Sequence, residues 1–414
     1  MRFLALPCLL ALPCLPLHAA DEWPEFRGPT GQGHSTATGL PLEWSATKNV
    51  AWKTPVPGAG WSSPAIGRGR IFLTTGVTGA GNGVSLRALA LDVATGRVLW
   101  NTEIVTAAEA GSAPIHAKNS PASPTPILDG DRVYVHFGPH GTAALDRDGK
   151  ILWRNRDLTF DPVHGNGGSP ALAGGALIFT GDGAAAPFVA ALDARTGALR
   201  WKVARTVAVK QAFSFATPLV VEIAGRPQVI APGSGAVSAF DPADGRELWR
   251  VRYGGGYSVV PRPVFAHGLL FIGTGYNRAD LLALRADGAG DVTDTHIAWR
   301  TTKGAPLTPS VLVHGDELYG VDDKGVATCW DARTGTVHWQ ERLDGNYSAS
   351  PVAAEGRIYF LSEDGIGTVL RASRKFEKLA VNRLGERALA SPASADGALF
   401  IRTAAHLYRL QLAR

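Results

Sequence analysis

Short apolar runs separated by turn residues recur along almost the whole chain, and no long stretch has the spacing of an amphipathic helix. In the segment Ala190–Trp201, an apolar run ends at Asp193, Thr196 and Gly197 follow, and a second short strand carries the Trp. An Asp carboxylate accepts hydrogen bonds from N–H groups two or three residues ahead, and Gly adopts positive φ, so the pattern predicts a β-hairpin. The Trp adds a large apolar surface that must be buried.

This hairpin is repeated through the chain. Trp residues recur at spacings of 40 to 53 residues, and Leu379 takes the place of the next one. The Trp positions are Trp52, Trp100, Trp153, Trp201, Trp249, Trp299 and Trp339. The Asp residues of the preceding turns are Asp92, Asp146, Asp193, Asp241 and Asp331. We interpret both sets as structural: the Asp closes a turn, and the Trp fills the space between adjacent sheets.

A second hairpin lies upstream of each turn, first at Ser63–Leu73 and for the eighth time from Ser391. It consists of a polar residue, usually followed by Pro, a few apolar residues, a Gly turn and another strand. One unit therefore holds four short strands in about 40–50 residues, which is typical of a β-propeller blade.

The incomplete units at the two ends complement each other. Residues Asn49–Val56 form a Trp strand without a preceding hairpin, whereas Ser391–Arg402 and His406–Leu412 lack the Trp strand. Joining them gives one composite blade, which protects the first and last strand edges. The sequence therefore predicts an all-β, eight-bladed propeller of four-stranded antiparallel blades; a right-handed solenoid of sheets would not explain the complementary ends.

The first 20 residues have a basic residue, an apolar stretch and small residues at the end, the pattern of a signal peptide. We predict cleavage near Ala19 or Ala20 and a periplasmic or secreted protein without a transmembrane span; retention of the segment as an anchor is the alternative. Residues 21–45 are predicted to be an extension packed on the propeller, which takes up residues 46–414.

Composition supports many strands joined by tight turns, since the 414 residues include 49 Gly and 27 Pro. The net charge of +5 is dispersed, without basic runs interleaved with aromatic residues, and argues against nucleic-acid binding. After cleavage, Cys329 is the one remaining Cys, so no intramolecular disulfide is expected.

The repeated Ala-x-Asp-x-x-Thr-Gly-x-x-x-Trp unit resembles the pyrroloquinoline-quinone-type (PQQ-like) propeller repeat. That repeat builds quinoprotein alcohol dehydrogenases and the outer-membrane barrel assembly lipoprotein. WPEFRGPTGQG near the start, HAKNSPAS (His116–Ser123) and the C-terminal run that includes GNYSASP are similar to secreted bacterial propellers of planctomycete and verrucomicrobia type. The resemblance covers essentially the whole mature chain and implies the fold, but it leaves the activity open.

The resemblance to quinoproteins implies PQQ with Ca²⁺ held by Glu and Asn, an Asp base and, in many members, a pair of adjacent Cys residues. This chain has no such Cys pair and no Cys-x-x-Cys-His, nor a Gly-x-Ser-x-Gly, P-loop or His-Glu-x-x-His motif. No catalytic residue, metal or cofactor is expected. The acidic residues of DGAGDVTD (287–294) are interpreted as a solvated hairpin tip rather than a calcium loop.

Candidate binding residues lie in the polar connections that lead from one blade to the next, because these gather around the channel on one face. As a group they could form a funnel for a polar or anionic ligand; taken singly, each could simply satisfy backbone groups of a loop. The candidates are His116, Lys118, Asn119, His164, Asn166, Lys210, Tyr257, Asn346 and Tyr347.

Three functions remain as hypotheses. The first is a secreted, monomeric, non-catalytic module that binds a polypeptide or another component of the bacterial envelope. The second is a PQQ-dependent dehydrogenase of alcohols or sugars. The third, an assembly factor for outer-membrane proteins, is a narrower form of the first, and the lack of a small residue before Cys8 and Cys14 argues against its lipid anchor.

Overall fold

The computed structural model describes residues 22–79, 83–110, 115–277 and 279–413. These residues form eight antiparallel sheets arranged as an eight-bladed β-propeller, so the predicted fold is confirmed. The predicted signal peptide lies outside the described residues. Among the residues that are described, no helix is both long and apolar enough to cross a bilayer.

Each blade is a meander of four strands, named a to d from the channel outward. The first strand in the chain, β1 (Val50–Pro55), belongs to the last blade. Blades 1 to 4 contain β2 (Ala65–Gly67), β3 (Arg70–Thr78), β4 (Val84–Asp92) and β5 (Val98–Val105); β6 (Ile127–Asp129), β7 (Arg132–His136), β8 (Thr142–Asp146) and β9 (Ile151–Asn155); β10 (Ala171–Ala173), β11 (Ala176–Gly181), β12 (Phe188–Asp193) and β13 (Leu199–Ala204); and β14 (Leu219–Ile223), β15 (Arg226–Gly233), β16 (Ala236–Phe240) and β17 (Glu247–Arg252).

The remaining strands build the second half of the ring. They are β18 (Val264–Ala266), β19 (Leu269–Gly273), β20 (Leu281–Arg285), β21 (Gly290–Asp291) and β22 (Ile297–Thr301); β23 (Leu312–His314), β24 (Glu317–Val321), β25 (Val326–Asp331) and β26 (Val337–Arg342); β27 (Val352–Ala354), β28 (Arg357–Leu361), β29 (Ile366–Arg371) and β30 (Lys378–Arg383); and β31 (Ala393–Ala395), β32 (Ala398–Arg402) and β33 (His406–Leu410). Within the described ranges the helical elements are short, α1 (Ala107–Ala110) and a 3₁₀ turn at Gly138–His140.

Blade 8 is composite, as predicted. Strand β1 supplies its outer edge and pairs antiparallel with β33, with Lys53 opposite Tyr408. Arg402 fastens this blade to blade 1, since its Nη1 donates to Ser62 O at 3.2 Å and to Thr74 O at 2.9 Å. The first and last parts of the chain therefore close the ring together.

The Trp contact that recurs along the repeat joins neighbouring blades rather than strands of one blade. The Nε1 of Trp153 in blade 2 donates to Ala194 O in the c–d turn of blade 3 at 3.1 Å. Gly197 of that turn has φ +77°, and a Cβ at this position would lie 2.5 Å from the Trp153 ring. Asp193 Oδ1 accepts hydrogen bonds from Thr196 N and Oγ1, both at 2.9 Å, and so holds the turn beneath the ring.

Two blades depart from this arrangement. The c–d turn of blade 5 is longer, and its strand β21 pairs in parallel with β17 of blade 4, at the outer edge of that sheet. Trp249 therefore donates to Gln228 Oε1 of its own blade, at 2.9 Å. In blade 7 the turn has no Gly, and Phe376 packs edge-on against Trp339 with ring centroids 5.2 Å apart.

The segment of residues 22–45, named the strap here, crosses the face that carries the a–b and c–d turns, named the lower face. It begins at blade 1, where Trp23 pairs with Ile66, and Pro24 O accepts from Leu128 N of blade 2 at 2.8 Å. It ends at blade 7, where Trp44 N donates to Asn382 Oδ1 at 2.8 Å. The strap thus closes the lower side of the channel.

Arginines fasten the middle of the strap. Arg262, at the start of strand a in blade 5, donates to Phe26 O at 2.5 Å and lies 3.3 Å from the Glu25 carboxylate. Arg27 donates to Val311 O of blade 6 at 2.8 Å. Burial, together with the neighbouring Arg262, lowers the pKa of Arg27 to about 9, so this guanidinium stays charged at neutral pH.

We expect the protein to lose stability below pH 6.5, with His136 as one cause. This imidazole is fully buried, meets Thr142 Oγ1 through Nδ1 at 2.8 Å and packs on Phe179. Burial lowers its pKa to about 3. The unfolded chain binds a proton near pH 6.5 and the folded chain does not, so the free energy of unfolding falls as pH decreases from 6.5 towards 3, by about 2 kcal/mol at pH 5.

Urea denaturation of wild type and His136→Gln at pH 7.5 and pH 5 measures this effect. The wild type should lose about 2 kcal/mol more than the variant between the two pH values. His116→Gln, at an exposed imidazole, serves as the control and should retain the wild-type dependence. Equal losses in wild type and His136→Gln would show that His136 does not contribute.

Candidate functional site

A cavity of about 930 Å³ occupies the channel above the strap. Phe26 of the strap lies at its lower end. Its upper part is lined by residues of the b–c turns and the blade-to-blade connections, such as Tyr276 and His116, which are exposed. The cavity is therefore closed from below and reached from the upper face, which carries these connections.

Seven Ser and Thr side chains surround the cavity at the start of strand a, one from each blade except blade 5. This set, named the hydroxyl ring, consists of Ser63, Thr125, Ser169, Thr217, Ser310, Ser350 and Ser391. Ser63 N donates to Thr125 Oγ1 at 3.0 Å, and five further bonds of this kind, 2.8–3.0 Å long, join neighbouring blades. In blade 5 the equivalent residue is Arg262, which reaches down to the strap.

One wall of the cavity's upper part is aromatic. Six side chains with aromatic rings form a continuous series of contacts along this wall, and the centroids of neighbouring rings are 5.3–6.3 Å apart. This set, named the aromatic arc, consists of His116, His164, Phe213, Phe215, Tyr257 and Tyr276. Four blade-to-blade connections and the b–c turn of blade 5 supply these rings, so the arc spans about half of the mouth.

The opposite wall carries charge. Lys118, from the connection that enters blade 2, lies with its Nζ 2.8 Å from Glu363 Oε1 and 3.8 Å from Asp323 Oδ1, in the b–c turns of blades 7 and 6. Asp323 also accepts from Leu307 N and Thr308 N at 2.9 and 3.0 Å. Burial alone would raise the pKa of Glu363, but hydrogen bonds from Lys118 and Ser348 outweigh it and hold that pKa below its usual range.

The structure brings six of the nine candidate residues to the cavity. These six are His116, Lys118, Asn119, His164, Tyr257 and Asn346. Asn166 instead packs against Gly138 of the neighbouring blade, and Lys210 is exposed away from the lining. Tyr347 is fully buried in the core between blades 6 and 7, and its hydroxyl donates to Asp344 O at 3.1 Å. These last three residues are not among those that line the cavity.

Sequence reasoning missed three parts of the lining. The hydroxyl ring had a visible signal, because each first hairpin begins with Ser or Thr, usually followed by Pro, except at Arg262. Phe26 had none, since its position depends on the path of the strap. Asp323 and Tyr276 lie in b–c turns, whereas the prediction considered only the connections between blades.

A calcium site of the quinoprotein kind would need Glu and Asn oxygen ligands beside the quinone. Among the described ranges, no group of three or more His, Cys, Asp and Glu side chains is placed to hold a metal ion. Asp323, which lines the cavity, and Glu363 already share the Lys118 ammonium.

Comparison with known proteins identifies the family. The sequence profile of the family described as outer membrane protein assembly factor BamB (PQQ_2) matches residues 35–156 and 288–379, just over half of the chain. The chain belongs to this PQQ_2 family. Within PQQ_2, the chain is 29% identical over 154 residues to outer membrane protein assembly factor BamB of Alkalilimnicola ehrlichii. That match covers 36% of this chain and only 38% of the relative.

Solved structures share the PQQ_2 propeller fold at low sequence identity. BamB from Moraxella catarrhalis is 13% identical with a TM-score of 0.60, and the match covers 88% of this chain and 98% of BamB. Quinohemoprotein alcohol dehydrogenase from Comamonas testosteroni is 12% identical with a TM-score of 0.67, covering 95% of this chain and 81% of the enzyme. Both likenesses concern the fold alone.

Proposed function

We propose that the protein is a non-catalytic binding module of the bacterial envelope that takes a segment of a polypeptide into its cavity. The observation that carries this proposal is the two-sided mouth, with the aromatic arc on one wall and polar groups on the other. A volume of about 930 Å³ is at the upper end of ordinary ligand cavities and accommodates several side chains.

The chemistry of the walls suits a peptide. Rigid aromatic rings bury apolar side chains at a small loss of conformational entropy and often dominate binding energy. The side-chain amide of Asn346 can exchange hydrogen bonds with a peptide backbone, which presents donors and acceptors at each residue. Tyr276 is 57% exposed, so it offers apolar surface that a ligand could cover.

The family supports the envelope as the place of action. Its description and the curated relative both name an outer membrane protein assembly factor. The predicted signal peptide agrees with export. Assembly of outer-membrane proteins is the narrower form of the proposal.

Site-specific photo-crosslinking in cells tests the proposal. A photoreactive amino acid at Tyr276 should yield adducts with polypeptides after irradiation, because this ring lies at the mouth. The control position is Leu152, which is 44% exposed on the outer strand β9, far from the cavity. Equal adducts at both positions, or none at Tyr276, would contradict the proposal.

Titration with PQQ and Ca²⁺ separates the binding module from the dehydrogenase. We expect no new absorbance band, no saturable rise in melting temperature and no dye-linked oxidation of alcohols or sugars. A bound chromophore with alcohol oxidation would replace the proposal with the enzymatic function.

A further inference from the structure

The hydroxyl ring has unused hydrogen-bonding capacity that faces the cavity. Six of its oxygens accept a backbone N–H from the preceding blade, which leaves the O–H of each free to donate. Ser63 Oγ takes part in no hydrogen bond with a described residue. A hydroxyl that accepts a hydrogen bond becomes a stronger donor, so the ring's own inter-blade bonds strengthen the O–H groups.

These donors are buried and lie at the cavity wall. All seven residues of the ring are at least nine-tenths buried, and all line the cavity. Among the described residues, no acceptor receives any of their O–H groups. The O–H groups can donate to water or to a ligand in the cavity, and several such donors around one cavity suit a bound group that carries acceptor oxygens.

The charges beneath and beside the ring are positive. Arg27 and Arg262 lie under it at the strap, and Arg402 lies beside it, donating to Ser62 O at 3.2 Å. Among the residues with described positions, Glu25 is the one carboxylate paired with these three arginines. The net charge of this group is therefore positive, and burial weakens the screening of its field.

We propose that the hydroxyl ring binds an oxyanion, which is a carboxylate or phosphate group. Its oxygens would lie above Phe26 and accept hydrogen bonds from several hydroxyls of the ring. The ring supplies directional donors, and the buried arginines supply a favourable potential without direct contact. The site is separate from the aromatic arc and the Lys118 ion pairs. The proposal does not depend on polypeptide binding.

Isothermal titration of the full protein with inorganic phosphate, sulfate and acetate tests the site, with chloride at equal ionic strength as the reference. We expect saturable binding of at least one oxyanion and none of chloride. Ser63→Asp should weaken binding at least tenfold, because it places a carboxylate in the ring without removing an inter-blade acceptor. Ser63→Asn, which is neutral and of the same size, should bind much more tightly than Ser63→Asp.

A second control matches the change in net charge. Ser45→Asp lies on the strap away from the cavity, so it should bind oxyanions as the wild type does. Melting temperatures in chloride verify that each variant is folded. Phosphate binding that is unsaturable, or that is equal in wild type and Ser63→Asp, would overturn the proposal.

A peptide that ends in a free carboxylate and the same peptide with a C-terminal amide distinguish the source of the oxyanion. Tighter binding of the acid would identify a polypeptide carboxylate as the ligand group. Binding of phosphate with equal affinities for the two peptides would instead indicate a small anion. If neither peptide binds while phosphate still does, the result would contradict the proposed polypeptide function but not the oxyanion site.

Discussion

Replacing Arg262 with Ser is expected to lower the free energy of unfolding by about 3–5 kcal/mol and to release the strap, although Ser or Thr occupies this position in the other blades. The guanidinium is 2% exposed and donates to Phe26 O and Pro218 O. It is also the ion-pair partner of Glu25, whose pKa burial raises despite this arginine. Without Arg262, that carboxyl group would be buried with no cation beside it.

Urea denaturation and limited trypsin digestion together measure the two effects. Cleavage after Arg27 should become rapid in Arg262→Ser, because Arg27 belongs to the strap and is buried in the folded wild type. Arg68→Ser is the control: its ion pair with Asp131 is exposed, and its loss should change stability by less than about 1 kcal/mol. Wild-type stability of Arg262→Ser would mean that the strap is held by its other contacts.

Replacing Trp153 with Ala should cost about 3–5 kcal/mol, and this loss should be coupled to Gly197 in the next blade. Gly197→Ala alone should cost about 3 kcal/mol, since its Cβ would lie 2.5 Å from the Trp153 ring and its φ is +77°. In the Trp153→Ala background the collision disappears, and the same Gly change should cost only about 1 kcal/mol.

The matched control is Gly225→Ala. Gly225 also has a positive φ, +73°, but a Cβ there would meet nothing within 4 Å. It should therefore cost about 1 kcal/mol with Trp153 present or absent, which isolates the backbone contribution. Additive effects of Trp153→Ala and Gly197→Ala in urea denaturation would refute a direct contact between blades 2 and 3.

The fold was predictable because the residues that define each blade recur at regular intervals along the sequence. A Trp every 40 to 53 residues, a turn Asp before most of them and complementary end segments define the blades, their number and the composite blade. The partner of each Trp was not predictable, since Gly197 meets Trp153 of the preceding blade rather than Trp201 of its own. The positive φ of the turn is already a sufficient reason for a glycine at this position, so the contact with Trp153 leaves no separate signal in the sequence.

The site was harder to predict because it depends on contacts without periodicity. Neighbouring residues Asn346 and Tyr347 read alike as polar loop residues, yet the first lines the cavity and the second is core. Lys118 reaches Glu363 across the mouth, and no local pattern links the two. Arg262 donates to Phe26 O, which lies 236 positions away in a strap whose path the repeats do not determine.

The strap also has a consequence for the order of folding. Ser35 meets Ser394 across 359 positions, and Trp44 meets Asn382 across 338, so its contacts are among the most non-local in the chain. Such contacts form late, because the loop they close is long and each blade must first exist. The strap is synthesised before any blade, yet it is expected to dock after all the blades have formed. A ring whose strap has not yet docked would therefore have a channel that is open at both ends.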